Sequence, residues 1–269
     1  MGMPIWMYNE YVFENKYLVL FQQNSHDFLA YRVRLVVNII NQFMAPLVIM
    51  LVLTNLIGNS INGMTKSQIV NYYLSTSILY LFLNSKIDSY IKEAIQQGEI
   101  STYLIRPINF WLVALVKDIS ARVIKLMLGL PILVLLILIF SMSFPTLSPD
   151  MLVSLLMIPI ALLLAFSISF CVGALAFWFE EVWGFQNLKE VAILLLSGVV
   201  LPYTFFPKIL QRILTFTPFP YLINWPLHKG FSGNIAFEFS MAILWLVLLL
   251  GISAFMWKAG TKRYCAAGG

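Results

Sequence analysis

Charged residues are scarce in this sequence. They make up 11% of 269 residues, beside 60% hydrophobic residues and a mean hydropathy of +0.85. Soluble domains carry roughly 25% charged residues, so a water-facing surface cannot be assembled from this composition, and the chain is read as an integral membrane protein. Cysteine is almost absent: Cys171 lies in an apolar run and Cys265 near the end, which indicates neither a disulfide framework nor, without a Cys/His cluster, a metal site. The two histidines, His26 and His228, fall on opposite sides of the membrane by the pattern below, and no HExxH occurs, which removes a metalloprotease built on that motif. No GxxxxGK[ST] phosphate loop is present, so the chain has no recognisable ATP site of its own and is not expected to be an enzyme. The start, MGMPIWMYNEYVFENKY, lacks a basic region followed by a short apolar run and a cleavage site, and predicts no removed signal peptide. Carboxylates inside apolar runs are few, whereas ion-driven carriers keep such groups at a cost of at least ~2.5 kcal/mol each.

What the sequence has in abundance is apolar length. A membrane helix needs about 20 mostly apolar residues, and six windows qualify: 35–57, 67–83, 126–144, 151–179, 191–206 and 239–257. The second and fifth are short, and the fifth is expected to break at Pro202. Pro46, Pro131 and Pro159 are expected to lie within helices and kink them. Six spans put both termini on one side. The connections on that side hold 13 of the 17 basic residues, which predicts cytoplasmic termini.

Three segments are not simple spans. Residues 9–34 mix aromatic and aliphatic side chains with Lys16, Asp27, Arg32 and Arg34, as suits a helix lying in the cytoplasmic interface. Such a helix either anchors the first span or holds a partner. In SKIDSYIKEAIQQG, Ile87, Tyr90, Ile91, Ala94 and Ile95 form one helical stripe, with Lys86, Asp88, Lys92, Glu93, Gln96 and Gln97 on the other face. Gly98 suits a left-handed stop. Ile100, Tyr103 and Leu104 start a short second helix that ends at Arg106-Pro107. This is either a solvated connection or a lever for a partner. The third segment, 202–233, holds five of the 12 prolines. In it Phe206, Ile209, Leu210, Ile213, Leu214 and Thr217 could share one helical side, opposite Lys208, Gln211 and Arg212. Irregular backbone at membrane depth must be buried in protein or line water, so the segment is a candidate gate or an inert outer cap.

Uncharged polar residues form stripes on the spans. Asn38, Asn41 and Gln42, continued by Ala45, share one face of the first, and Asn71 and Ser75 share a face of the second. Both either bond between helices or line a translocation path. Ser169 and Gly173 form a small-xxx-small pair suited to packing. Lys117, Asp118, Arg122 and Lys125 precede the third apolar run, and Glu180-Glu181 follow the fourth. Asp118 and Arg122 can pair at i, i+4, and all of these are expected at the interface.

The order of an interfacial helix ending Tyr31-Arg32, six spans, Gly98-Glu99-Ile100…Leu104-Ile105-Arg106-Pro107, and Leu201-Pro202…Phe205-Phe206-Pro207…Pro218-Phe219 resembles the permease subunits of bacterial type-2 ABC exporters over nearly the whole chain. The resemblance implies one all-α transmembrane domain over 1–269: the interfacial helix (9–34), helices one to five (35–206) with a cytoplasmic coupling segment (85–107), an extracellular re-entrant loop (207–238) and a sixth helix (239–257). It implies a bacterial inner-membrane permease that exports an amphipathic or hydrophobic substrate. Its partners would be two copies of an ATP-binding cassette subunit, a second identical or homologous permease, and membrane lipid, with no nucleic acid. Mg-ATP would sit in the partner, leaving no cofactor or metal in this chain. The coupling role falls on Gly98, Glu99, Ile100, Tyr103, Leu104, Arg106 and Pro107, with Ile100, Tyr103 and Leu104 inserted into the ATPase. The candidate outer gate is Pro202, Phe205, Phe206, Pro207, Pro218 and Phe219. The competing class is an ion-coupled carrier or channel subunit without an ATPase. A lipid-modifying membrane enzyme would need a His/Asp/Glu/Ser constellation that the sequence does not assemble.

Overall fold

The computed structural model describes residues 20–22, 24, 32–56, 60–61, 64–105, 109–139, 149–227 and 235–264. The expected interfacial helix, 9–34, lies for the most part outside these residues. The first long helix, α1 (Arg32–Leu56), carries Pro46 within it. Two-residue strands β1 (Ser60–Ile61) and β2 (Met64–Thr65) pair antiparallel, Ser60 with Thr65 and Ile61 with Met64, a small ladder in an otherwise helical chain. Thr65 then caps α2 (Lys66–Leu83): its hydroxyl accepts from the Gln68 N–H, and the Gln68 side chain accepts from the Thr65 N–H. This reciprocal capping satisfies two donors that a helix start leaves open.

Helix α3 (Ile87–Gln96) is amphipathic as its spacing predicts, with Ile87, Ile91, Ala94 and Ile95 buried. Gly98, at φ +80, turns the chain into α4 (Ile100–Ile105). Helix α5 (Phe110–Ile139) contains Pro131, and α6 (Pro149–Ala174) contains Pro159 and runs into a 3-10 turn at Leu175–Phe177. After α7 (Trp183–Leu196) come a 3-10 turn at Tyr203–Phe205, α8 (Lys208–Thr215), a second turn at Phe219–Tyr221, and α9 (Asn224–Leu227). Helix α10 (Ile235–Arg263) closes the bundle. Four helices, α1, α5, α6 and α10, are long and apolar enough to cross a membrane among the described residues.

Two boundaries differ from the sequence expectation. The apolar window 126–144 belongs to a helix that already starts at Phe110, so its charged residues lie inside a continuous helix. The fifth span stops at Leu196, before Pro202, because Gly198 takes φ +97 and the chain bends there. Only glycine adopts that backbone without a Cβ penalty.

Helix α6 is the central strut, packing against α10, α3 and α7, while α1 packs on α2 and α2 on α5. One core joins Leu79 and Leu83 of α2, Ala161, Leu164 and Ala165 of α6, and Ala242 of α10 to Tyr221, Leu222, Ile223 and Trp225. Residues 219–227 are therefore wedged among the helices. A second core gathers α3, Ile100, the start of α5 and the end of α6, with Trp257 of α10 against it. Gly173 makes this possible: a Cβ there would lie 2.8 Å from the Ile91 Cβ and 2.9 Å from the Asp88 backbone. Of the pair with Ser169, Gly173 serves this close packing, while Ser169 hydrogen-bonds with Lys189. Outward, α10 exposes Leu244, Val247 and Phe255, and α1 exposes Val37, Met44 and Val48, apolar surface suited to lipid.

Candidate functional site

The carbonyls of Leu83, Asn84 and Ser85, at and just beyond the end of α2, have no partner within that helix. Three bases from two other helices supply donors. Arg122 Nη1 donates to Leu83 O at 3.1 Å, Lys125 Nζ to Asn84 O at 3.0 Å, and Lys189 Nζ to Ser85 O at 3.1 Å. Cations also suit the negative pole of a helix C-terminus. Two of the bases meet carboxylates: Arg122 Nε donates to Asp118 Oδ2 at 2.7 Å, and Lys189 Nζ to Asp88 Oδ1 at 2.9 Å. Ser85 Oγ donates to Asp118 Oδ1 at 2.7 Å, and Lys189 reaches Ser169 Oγ at 3.2 Å. Lys86 and Glu190 form a more exposed ion pair beside them.

This layer corrects two expectations. Asp118, Arg122 and Lys125 are buried, not interfacial, and Asp88 is buried although the stripe on α3 assigned it to the polar face. The desolvation of Asp88 is offset by Lys189 from another helix, and that of Asp118 and Arg122 by their own i, i+4 pair together with Ser85 and the Leu83 carbonyl. Lys125, among the described residues, meets only the Asn84 carbonyl.

Next to the layer lies a cavity of about 260 Å³. Asn38, Asn41, Gln42 and Ala45 of α1 line one wall, and Tyr80 of α2 with Asn84 just after it another. Lys125 from α5, with Lys86, Glu190 and Leu194, completes it. Asn38 and Asn41 are exposed, and Gln42 is half-buried with its Oε1 buried and without a hydrogen-bond partner. The structure thus brings the Asn38, Asn41, Gln42 stripe to a polar cavity. Asn71 and Ser75, half-buried on α2, are not among its lining residues. Lys125, Lys189 and Tyr80 were missed as site residues. The available signal was the spacing of Asp118, Arg122 and Lys125, which puts three charges on one face of a helix.

At the end of the bundle where α3 and α4 sit, aromatic contacts dominate. Phe110 stacks on Trp257 with centroids 4.4 Å apart and packs edge-on against Tyr103 at 5.3 Å. The hydroxyls of Tyr90 and Tyr103 lie 3.3 Å apart, and the Lys117 ammonium sits 3.6 Å from the Tyr90 ring centroid. Burial pushes the Tyr90 phenol above its ordinary range, and the hydrogen bond with Tyr103 adds to this. Ile100 is fully buried in this core and Tyr103 half-buried, so the face expected to insert into a partner turns inward at these two residues. Glu99 and Thr102 are the exposed ones. The side chain of Leu104, and Arg106 and Pro107 altogether, lie outside the described residues. Beside Gly98 a cavity of about 350 Å³ runs between Ile95, Gln96, the 176–180 segment, Arg263 and Tyr264. The Gln96 side chain donates to the Glu180 carbonyl across it.

At the opposite end, Tyr72 donates to Gly198 O at 2.5 Å and Tyr73 to Val200 O at 2.7 Å. Asn224 N–H donates to Ser197 O at 3.1 Å. Pro202 is buried, Phe205, Phe206, Pro218 and Phe219 are half-buried, and Pro207 is exposed. The apolar residues of α8 do not share one side: Leu214 is buried, while Ile209 and Ile213 face outward. Tyr203 donates to Gln211 O and Tyr221 to Thr215 O, which tie α8 to the turns on either side of it.

A largely helical bundle with membrane-length apolar helices, a polar cavity between them and a turn-linked helix pair at one end has the make-up of a membrane transport component. A family model described as ABC-2 family transporter protein matches residues 39–268, and the chain belongs to this family. It is a permease-type component of an ABC transporter, a family that works with an ATP-binding subunit. No curated protein matches the chain.

Proposed function

We propose that this chain is the six-span permease of an ATP-driven exporter in a bacterial inner membrane, with both termini cytoplasmic. It moves an amphipathic or hydrophobic substrate outward. The observation that carries this reading is the α3–Gly98–α4 unit, seated on the start of α5 and the ends of α6 and α10. A rigid pair of short helices at one end of the bundle is suited to pass movement of an ATPase to several spans at once. The excess of basic residues in the connections at that end supports its cytoplasmic placement. Two ATP-binding subunits holding Mg-ATP and a second permease, identical or homologous, complete the exporter.

Within the coupling segment, Ile100 and Tyr103 act as anchors to the bundle, and Glu99 and Thr102 present the surface to the ATPase. Closure of the ATPases would tilt α3 and α4 together and part the bundles, with the 202–227 segment as the outer gate. The test is purification of the tagged full-length chain from its own host. An ATP-binding cassette subunit in the eluate, with ATPase activity lost on Glu99→Arg, is expected. A chain that transports substrate without such a subunit would overturn the reading.

One observation favours an ion-coupled carrier instead: Glu238, in the first turn of α10, is fully buried. In that case Glu238→Gln would abolish transport driven by an ion gradient in vesicles free of ATP.

A further inference from the structure

Among the described residues, the polar layer at the end of α2 holds four bases, Lys86, Arg122, Lys125 and Lys189, and three carboxylates, Asp88, Asp118 and Glu190. Each carboxylate is paired: Asp118 with Arg122, Asp88 with Lys189 and Glu190 with Lys86. Among the described residues one base of this layer, Lys125, has no carboxylate within ion-pair distance. Lys125 donates to the neutral carbonyl of Asn84 at 3.0 Å, is 7% exposed, and lines the 260 Å³ cavity. A buried cation whose direct contact among the described residues is a neutral carbonyl is costly, and a lysine retained there serves best when an anion arrives from outside. The cavity suits such an arrival. Asn38, Asn41 and Gln42 bring carboxamide groups to it, and Glu190 is neutralised by Lys86. Ala45 and Leu194 add apolar surface, so an acidic head at Lys125 would leave an oily body against them.

We propose that this cavity receives the anionic head, a phosphate or carboxylate, of an amphipathic molecule, with Lys125 as its counter-ion. The inference narrows the substrate class of the export reading and rests on that reading only for the direction of movement. Binding itself needs no ATPase.

The test uses the full-length chain in dodecyl maltoside and measures binding of four probes: dodecyl phosphate, dodecyltrimethylammonium, inorganic phosphate and dioleoylphosphatidylglycerol. Dodecyl phosphate is expected to bind and the cationic probe is not. Lys125→Gln should weaken dodecyl phosphate binding about tenfold or more, and Lys125→Arg should largely restore it. Glu190→Gln, which frees Lys86, should tighten binding several-fold, a gain that a folding defect cannot mimic. Binding of phosphatidylglycerol with the same dependence on Lys125 would identify a membrane lipid as the source of the head. Preference for dodecyl phosphate would identify a single-chain substrate. Equal binding of the cationic probe, an unchanged affinity in Lys125→Gln, or inorganic phosphate binding as tightly as dodecyl phosphate would each overturn the proposal. Absence of a co-purifying ATPase would sink the export reading and leave this result standing, and the reverse also holds.

Discussion

Lys189 of α7 donates to the Asp88 carboxylate of α3 at 2.9 Å, with both side chains at most 2% exposed. The contact bridges residues 101 positions apart and fixes α3 beneath the bundle. Removing one partner of a buried pair strands the other charge, which typically costs ~3–5 kcal/mol. Asp88→Leu and Lys189→Met should each lower the thermal unfolding midpoint of the detergent-solubilised chain strongly. The double variant should recover most of the loss. If the single variants prove as stable as the wild type, the pair does not hold α3.

Gly173 tests the same joint by sterics. Its Cβ would fall 2.9 Å from backbone atoms of Asp88, which cannot swing aside as a side-chain tip does. Gly173→Ala should cost about 1–3 kcal/mol through overpacking. Gly184, near the start of α7, has nothing within 4 Å of its Cβ position, so Gly184→Ala should be neutral or slightly stabilising. Equal unfolding midpoints for the two variants would mean that α3 does not approach α6 this closely.

How much of this joint was legible beforehand depends on where each residue's partner sits in the chain. The stripe Ile87, Ile91, Ala94 and Ile95 and the stop at Gly98 follow from local spacing, and the structure has both. Helical spacing sets Asp88 off the apolar stripe, beside Lys92 at i+4; Lys189, which buries it, is supplied only by the fold. Arg122 and Lys125 read as interfacial because they precede the apolar run of 126–144. The acceptors that bury them are the carbonyls of Leu83 and Asn84, some 40 residues upstream. Proline was likewise a poor guide to the end of the fifth helix, since Pro202 is a stronger local signal than Gly198 and yet Gly198 ends the helix first. The stripe Asn38, Asn41, Gln42 was visible as a polar face, but the cavity behind it needs Tyr80, Lys125 and Glu190 from three other helices.

The outer segment depends on two tyrosines. Tyr72 and Tyr73 donate to Gly198 O and Val200 O, carbonyls that follow the end of α7. Leaving a buried carbonyl without its donor costs about 1–3 kcal/mol. The double variant Tyr72→Phe, Tyr73→Phe should raise hydrogen exchange across 198–206 while 87–96 stays protected, because the two regions sit at opposite ends of the bundle. Exchange that rises equally at both ends would point to global loosening instead.

Gly98 offers a separation of stability from coupling. Its φ of +80 costs an L-residue roughly 1–2 kcal/mol, and Asn tolerates it better than Ala. The space itself is adequate, since a Cβ would stand 3.6 Å from the Tyr264 hydroxyl. Gly98→Ala should therefore fold with a modest drop in midpoint but reset the angle between α3 and α4. Under the coupling reading, ATP hydrolysis by the assembled transporter should continue while transport per ATP falls, with Gly98→Asn intermediate. Glu99→Arg should act differently, weakening assembly with the ATPase while leaving the unfolding midpoint unchanged, because its side chain is exposed. Ile100→Asp would place a charge in the buried core beside Phe110 and Phe170, so its failure would report on folding alone. The ordering separates a lever from a mere connection. If Gly98→Ala transports as much per ATP as the wild type, the turn carries no movement, whatever else binds there.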